Sequence, residues 1–316
     1  MGSARVCREA QFVKERTLLA TENLSPRYLE LDAWSSADAL TALYEGQLAA
    51  VAAVREALPA IAAAAEAAVP GLQRGGRLVY VGAGTSGRIG VQDGAELPPT
   101  FDWPDNKLVF AMAGGEAAFL RAVENAEDSV TEGVAAIRNA DVGSDDVVIG
   151  LAASGTTPFT IAALKEAGSR GAVTIGLSNN RGAPLLDACS HPILVETGEE
   201  VVAGSTRMKA GTSQKIVLNL LSTLIMIRLG RVYRGMMVHM RATNGKLRRR
   251  AEIMVARITG CTEAQAAEAL AQGDGSVKLA AVMVRGMPRA EAEALLERHG
   301  GNLRAAFGEL DAARLL

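Results

Sequence analysis

Several carboxylates of this chain stand where they could transfer protons. Glu96 follows a predicted helix and precedes a Pro-Pro turn, so we expect it near the mouth of a cleft, with partial burial keeping its carboxyl protonated. Glu124 and Glu127 are three residues apart, which predicts that they share one helical face. Two carboxyl groups without a metal-ligand cluster are suited to acid–base catalysis. These residues are therefore the candidates for catalytic groups.

Three short segments rich in Ser, Thr and Gly follow predicted strands, and hydroxyls with backbone N–H groups at helix N-termini are suited to binding a phosphate group. The segments are loop 1 with Gly84, Thr85 and Ser86, loop 2 with Ser154, Gly155, Thr156 and Thr157, and loop 3 with Ser205, Thr206, Lys209 and Thr212. Turn or cap residues explain any one such loop. Their recurrence at three strand ends predicts one small phosphorylated ligand.

Loop 1 also fits the dinucleotide fingerprint G-x-G-x-x-G with Gly82, Gly84 and Gly87. A dinucleotide site needs an acidic residue at the end of the second strand, about twenty residues further on. Asp102 is near that distance but lies in the proline-containing loop LPPTFDWPDN, and the next strand, KLVFAMAGG, ends in glycine. The dinucleotide interpretation is therefore disfavoured.

The elements that must position these loops alternate between strand and helix. Five apolar runs predict strands: RLVYVGAG, KLVFAMAGG, DVVIGLAASG, AVTIGLSNN and HPILVETG. Helical patterns separate most of them, including RIGVQDGAE, AAFLRAVENAEDSVTEGVAAIRN and PFTIAALKEAGSRG. Buried strands alternating with helices predict an α/β fold with a parallel sheet covered by helices on both faces. The site is expected at the carboxyl ends of the strands.

The chain divides into three predicted parts. Residues 1–20 form an expected flexible arm, 21–250 the α/β domain with its N-terminal helices, and 251–316 a small helical module. In the α/β domain a long Ala-rich helix begins after Ser35 or Ser36, and Pro59 is expected to kink or divide it. In the module, Thr262 and Gln265 form a predicted capping box.

Composition excludes several classes of function. A formal net charge of −2 and 4% aromatic residues argue against nucleic-acid binding. The apolar run Ile216–Ile227 is short for a bilayer span and predicts a buried core helix, so no membrane association is expected. Three separated cysteines, Cys7, Cys189 and Cys261, indicate neither a zinc site nor disulfides, which favours a cytoplasmic location.

Long motifs then identify a family. GAGTSGRIGVQDGAELPPTF, AGGEAAFLRAVENAEDS, VVIGLAASGTTPF, GSTRMKAGTSQK and ATNGKLRRR resemble the N-acetylmuramic acid 6-phosphate etherases. These enzymes belong to the sugar-isomerase-domain superfamily and are related to the glucokinase regulatory protein. The resemblance runs from about Thr21 to about Phe307. It implies a homodimer with the site near the subunit interface, and a C-terminal module similar to ubiquitin-associated domains.

The resemblance also implies a reaction and its catalytic groups. The D-lactyl ether at C3 of N-acetylmuramic acid 6-phosphate is cleaved to N-acetylglucosamine 6-phosphate and D-lactate, as part of cell-wall recycling and without metal or organic cofactor. By motif, Glu96 matches the proton donor to the departing lactate, and Glu127, in NAED, matches the second acid/base. Glu124 is the neighbouring alternative for the second role.

The sequence departs from the family pattern at a few positions. Thr156 stands where the family has arginine, and His239 stands where it has an acid. Two alternatives stay open: a sugar-phosphate isomerase or deaminating enzyme on the same fold, and a non-catalytic sugar-phosphate sensor. The isomerase would not need an acid at C3, and the sensor predicts loss of one or both glutamates.

Overall fold

A computed structural model describes residues 19–121, 123–240 and 245–313. The predicted arm lies outside the described residues except for its last two positions, and so does Cys7. Thr21 is fully buried, and its backbone carbonyl accepts a hydrogen bond from the Gly204 N–H at 3.1 Å. The chain therefore packs against the α/β domain from about residue 21 onwards.

A five-stranded parallel sheet forms the centre of the molecule, as predicted. Its strands are β1 Leu78–Gly82, β2 Leu108–Met112, β3 Val147–Leu151, β4 Val173–Ser178 and β5 His191–Leu194. They lie in the order β2-β1-β3-β4-β5. The strand order reverses between β1 and β3, so a ligand crevice is expected beyond their carboxyl ends.

Helices cover both faces of the sheet. They are α1 Ser36–Gln73, α2 Gly84–Ala95, α3 Leu97–Phe101, α4 Val130–Asn139, α5 Pro158–Ser169, α6 Pro184–Asp187 and α7 Lys209–Arg228. Leu78 and Tyr80 pack into the core cluster with α1 and α7, whereas Val79 and Val81 pack into the cluster with α4 and α5. This alternation confirms the predicted two-sided covering, because successive strand residues point to opposite faces.

The first helix differs from the prediction at its proline. Ser35 caps α1 by accepting the Asp38 N–H at 3.2 Å, but the helix continues unbroken past Pro59. Pro59 lies on the exposed side, where water can satisfy the carbonyl left without a helical N–H partner.

Two helices, α1 and α7, are long and apolar enough to cross a bilayer by length and composition alone. In α7 the most apolar stretch is 56% buried, and α7 packs along α1 in the main core. The prediction of a buried core helix at Ile216–Ile227 is confirmed.

The C-terminal part carries a core cluster of its own. After the short antiparallel strands β6 Val232–Tyr233 and β7 Met236–Met237 come α8 Gly245–Thr259, α9 Glu263–Gln272, α10 Val277–Val284, α11 Arg289–Arg298 and α12 Leu303–Ala313. The predicted capping box at the start of α9 is present. The separate cluster already includes Tyr233 and Val238, and residue 250 lies within α8, so the division at 250 stays a prediction.

Candidate active site

Loop 1 joins β1 directly to α2. A Cβ on Gly82 would lie 2.8 Å from the Cα of Gly87, so only glycine allows the strand and the helix to approach this closely. Gly84 has φ +53°, Thr85 is half-buried and Ser86 is buried. The loop has the packing of a dinucleotide fold, but β2 ends at Met112 with no acidic side chain, so the ribose partner is missing.

Loop 2 lies beside loop 1, because β1 and β3 are paired through Gly82 and Leu151. Gly155 has φ +69°, and an added Cβ would lie 2.3 Å from the Ala183 Cβ and 2.4 Å from the Ser178 Oγ. Loop 2 is therefore built around a glycine that no other residue can replace without displacement.

Hydrogen bonds hold loop 2 both internally and to the segment that follows β4. The Ser154 Oγ accepts the Thr156 N–H at 3.2 Å. Thr157 precedes the first residue of α5 and is half-buried. Below the loop, the Asn180 amide donates to the Ala153 carbonyl at 2.9 Å. The sequence does not predict this role of Asn180, because its position after a strand is the only feature that distinguishes it.

Loop 3 meets loop 1 at Gly211 in α7. A Cβ there would lie 3.3 Å from the Thr206 carbonyl and 3.6 Å from the Thr85 Cγ2. Ser205 and Thr206 are half-buried, and the Lys209 Nζ donates to the Glu199 carbonyl at 2.8 Å. Burial lowers the pKa of Lys209, although the nearby Glu200 and Glu199 oppose this. Loops 1 and 3 thus lie next to each other where α2 packs against α7.

Glu200 is a fully buried carboxylate that sequence reasoning missed. It accepts the backbone N–H groups of Lys209 and Ala210, each at 2.9 Å, at the start of α7. Burial raises the pKa of Glu200, while these two hydrogen bonds and the Lys209 charge partly offset the increase. The residue caps α7 and fixes the segment that carries loop 3.

Glu127 lies beside loop 1. A cavity of about 270 Å³ is lined by Gly84, Met112, Glu124 and Glu127, among others. The predicted helix through Glu124 and Glu127 is wrong: Glu124 lies in a turn, Asn125 has φ +59°, and Glu127 lies in a short 3-10 turn at Ala126–Asp128. Both glutamates nevertheless line the same cavity.

Arg88 of α2 holds the segment before Glu127. Its guanidinium donates to the carbonyls of Ala118, Phe119 and Arg121 at 3.0 to 3.2 Å. Arg88 lies in the loop 1 motif between two glycines, but its partners are about thirty residues away, so no local pattern indicates this role.

Glu96 lies at the other end of α2. Twelve residue steps separate it from Gly84, or about 18 Å along the helix. Its side chain is exposed in the single chain, so neither the expected partial burial nor the expected position close to loop 1 is present. The helix runs antiparallel to the strands, which carries its last residue away from the carboxyl edge of the sheet.

Asp93 anchors α2 one turn before Glu96. It accepts hydrogen bonds from the Tyr80 hydroxyl at 2.8 Å and the Ser222 hydroxyl at 3.1 Å. Burial raises the pKa of Asp93, and these hydrogen bonds oppose the increase. Within residues 19–121, 123–240 and 245–313, no group of three His, Cys, Asp or Glu residues could hold a metal ion.

Two family models match this chain. The "Glucokinase regulatory protein N-terminal SIS domain" matches residues 60–167, and the "SIS domain" matches residues 122–224. Among solved structures, a phosphoheptose isomerase from Francisella tularensis is similar, with 21% identity and a TM-score of 0.46 over 61% of this chain and 98% of that one.

Curated relatives are similar over almost the full length. The N-acetylmuramic acid 6-phosphate etherase of Deinococcus radiodurans is 50% identical over 92% of this chain and 96% of its own. That of Halalkalibacterium halodurans is 44% identical over 93% of this chain and 99% of its own. With such identity over such a share of both chains, this chain belongs to the N-acetylmuramic acid 6-phosphate etherase family.

Proposed function

We propose that this enzyme cleaves the D-lactyl ether of N-acetylmuramic acid 6-phosphate with water, giving N-acetylglucosamine 6-phosphate and D-lactate. The observation that carries the proposal is that a glutamate and a glycine-rich loop line the same cavity. In a chain 50% identical to an etherase, Glu127 lines one cavity with Gly84 of loop 1. A carboxyl group that could transfer a proton and a helix N-terminus that could bind a phosphate therefore line the same cavity.

The three loops are the proposed phosphate site. Loops 1 and 2 adjoin at the strand-order reversal, and loops 1 and 3 meet at Gly211. The proposed ligating groups are the loop hydroxyls and backbone N–H groups, with Lys209 beside them. Their residues are Gly84, Thr85, Ser86, Ser154, Gly155, Thr156, Thr157, Ser205, Thr206 and Lys209.

The proposed chemistry is elimination followed by hydration. In the open-chain sugar, C2 lies beside the C1 aldehyde, so loss of the C2 proton gives a stabilised enolate. Glu127 takes this proton. The enolate then expels the oxygen at C3, and Glu96 donates a proton to that oxygen, so that D-lactate is released. Water then adds to C3 of the unsaturated aldehyde and the proton returns to C2. Each positioned proton transfer contributes about 10²–10⁴-fold to the rate.

The proposed active form is a homodimer. The exposed side of α1 carries an apolar stripe of Leu40, Tyr44, Leu48, Val51 and Leu58, each more than 45% exposed. Their spacing of three, four and seven residues places them along one side of the helix. A second copy of the chain is the proposed occupant of this apolar stripe.

A dimer would also explain how two distant glutamates can act on one substrate. Two carboxyl groups that act on adjacent carbons must both lie within a few ångströms of one substrate. Glu127 lines the cavity at Gly84, whereas about 18 Å of helix separates Gly84 from Glu96. We therefore place Glu127 of one subunit and Glu96 of its partner at one substrate. The exposure of Glu96 in the single chain supports this arrangement.

The remaining proposals follow from the family and the composition. The reaction is proposed to need no cofactor, and the enzyme is proposed to act in the cytoplasm, where Cys189 and Cys261 would stay reduced, as both are in the structure. The helical part from residue 251 is proposed as the separate module.

One assay tests the function against its alternatives. Purified protein is mixed with N-acetylmuramic acid 6-phosphate, and D-lactate is measured enzymatically. Release of D-lactate supports the etherase. A sugar-phosphate isomerase would instead exchange the C2 proton without releasing lactate, and a sensor would bind the sugar phosphate and leave it unchanged.

A further inference from the structure

The backbone after Glu96 is a short, tightly held segment. Glu96 is the single residue between α2 and α3, and its carbonyl accepts the Thr100 N–H at 3.2 Å. At the end of α3, the Asp102 N–H donates to the Pro98 carbonyl at 2.9 Å. Any shift of α3 therefore moves the backbone that carries the Glu96 side chain.

Arg231 fixes the far end of α3. Its Nη1 donates to the carbonyl of Phe101, the last residue of α3, at 2.6 Å and to that of Asp102, the residue after it, at 2.9 Å. Its guanidinium also lies 4.8 Å from the centre of the Trp103 ring. Helix C-terminal carbonyls lack intrahelical partners, so a cation at this position satisfies them. Burial lowers the pKa of Arg231, against the opposing charge of Asp102.

A second contact holds the same turn from the same side. Asp102 has φ +51°, and its Oδ2 lies 3.7 Å from the His239 Nε2. Arg231 and His239 flank the β6–β7 hairpin that joins α7 to the C-terminal helices. On its other side, Glu96 follows Asp93, which is fixed to β1 and α7. The Glu96 segment is thus held from both ends.

We infer that Arg231 is a positioning residue for Glu96, acting through the carbonyls at the end of α3. The inference rests on the proposed function, in which Glu96 protonates the departing lactate. It assigns the α7–α8 connection a part in the elimination step, although Arg231 contacts the chain five residues after Glu96 and touches no proposed substrate atom.

Arg231→Met is the primary test, with Arg228→Met as the matched control. Arg228 lies one turn earlier and pairs with Glu66 at the surface at 2.6 Å, and within the described residues no hydrogen bond or ion pair joins it to α3. Arg231→Met is expected to lower kcat for lactate release about 10-fold to 100-fold, as for a catalytic group displaced by about 1 Å. The Glu127-dependent exchange of the C2 proton should stay at the wild-type rate, and the control should leave both rates unchanged.

Two further measurements separate positioning from general destabilisation. Arg231→Lys should restore most of the lactate release, because both hydrogen bonds come from one nitrogen that an ammonium can replace. In a Glu96→Ala background, Arg231→Met should cause no additional loss, since Arg231 would have nothing left to position. Equal losses of exchange and lactate release, or additive effects of the two substitutions, would overturn the inference.

A structural measurement keeps the inference testable if the wild-type protein releases no lactate. Hydrogen exchange of the backbone amides of Thr100, Asp102 and Trp103 should be faster in Arg231→Met than in Arg228→Met. Unchanged exchange would show that Arg231 does not hold α3, whatever the reaction. Absence of lactate release by the wild-type protein, with faster exchange in Arg231→Met, would instead count against the proposed function alone.

Discussion

Glu96 and Glu127 lie at opposite ends of α2. Glu127 lines the cavity at Gly84, where the helix begins, and Glu96 is exposed where the helix ends, about 18 Å further on. In the proposed reaction, which uses both carboxyl groups on neighbouring carbons, the two groups therefore come from different subunits.

Removing each carboxyl group should separate the two proton transfers. Glu96→Ala is expected to lower lactate release about 10²–10⁴-fold and to keep C2 proton exchange, while Glu127→Ala should abolish both. Exchange is measured by deuterium incorporation in D₂O, and Glu132→Ala, an exposed glutamate on α4, is the control. If Glu124→Ala loses the C2 proton exchange and Glu127→Ala keeps it, Glu124 is the base instead of Glu127.

Mixed dimers should test whether the glutamates act across the interface. Co-expressed Glu96→Ala and Glu127→Ala subunits would form heterodimers in which one composite site carries both substitutions and the other carries none. Random assembly is then expected to recover about a quarter of wild-type activity. If both glutamates act within one subunit, the mixture will be as inactive as its parents.

The apolar stripe on α1 should control assembly. Leu48→Lys places a charge in the middle of the stripe and is expected to give a monomer in size-exclusion chromatography with light scattering. Ala49→Lys adds the same charge on an exposed position about 100° further around the helix and should leave the dimer intact. A dimer that survives Leu48→Lys would mean that the interface lies elsewhere.

Loop 2 should not tolerate a side chain at Gly155. Gly155 and Gly182 both have φ +69°, but an added Cβ clashes only at Gly155. Gly182→Ala should therefore cost about 1 kcal/mol of unfolding free energy from backbone conformation, and Gly155→Ala about 3 kcal/mol. Gly155→Ala should also raise KM, because Ser154 and Thr156 move. Equal effects of the two substitutions on the unfolding free energy in urea and on KM would contradict this structure of the loop.

Lys278 should make stability increase at alkaline pH. Burial, with the Arg231 charge nearby, lowers the pKa of Lys278 from 10.5 to about 8, and its Nζ donates to the Gly301 carbonyl. Between these values the folded protein loses the proton before the unfolded chain does, so the unfolding free energy rises with pH.

The rise attributable to Lys278 between pH 8 and 9.5 is expected to reach about 2 kcal/mol. Urea unfolding at several pH values should show that Lys278→Met lacks this component, while Lys165→Met, at an exposed position on α5, retains it. The same pH dependence in wild type and Lys278→Met would be evidence against a buried amine that changes charge.

The sheet could be predicted from the sequence because its strands are continuous apolar runs that end in glycine or small polar residues. The segment 116–128 could not. It has the composition of a helix, but Arg88 binds the carbonyls of Ala118, Phe119 and Arg121, which a helix would use internally. Val123 also packs on Gly114, where a Cβ would lie 2.8 Å from the Val123 Cβ. Tertiary contacts therefore override local propensity there.

The site was predictable only in part for the same reason. The motif residues of the three loops are recognisable because glycine and hydroxyl residues cluster in short segments. Arg231 acts through partners about 130 residues away, and Glu200 caps a helix that begins nine residues later. No local pattern marks such pairings. The position of Glu96 likewise depends on the direction of α2, which its motif does not reveal.

The buried carboxyl group of Glu200 makes the helix N-termini at the proposed phosphate site unequal. It already accepts the first two backbone N–H groups of α7, whereas among the described residues no side chain caps α2 or α5. In the proposed phosphate site, α2 and α5 therefore offer backbone N–H groups to the phosphate, whereas loop 3 contributes its hydroxyls and Lys209 rather than the first amides of α7.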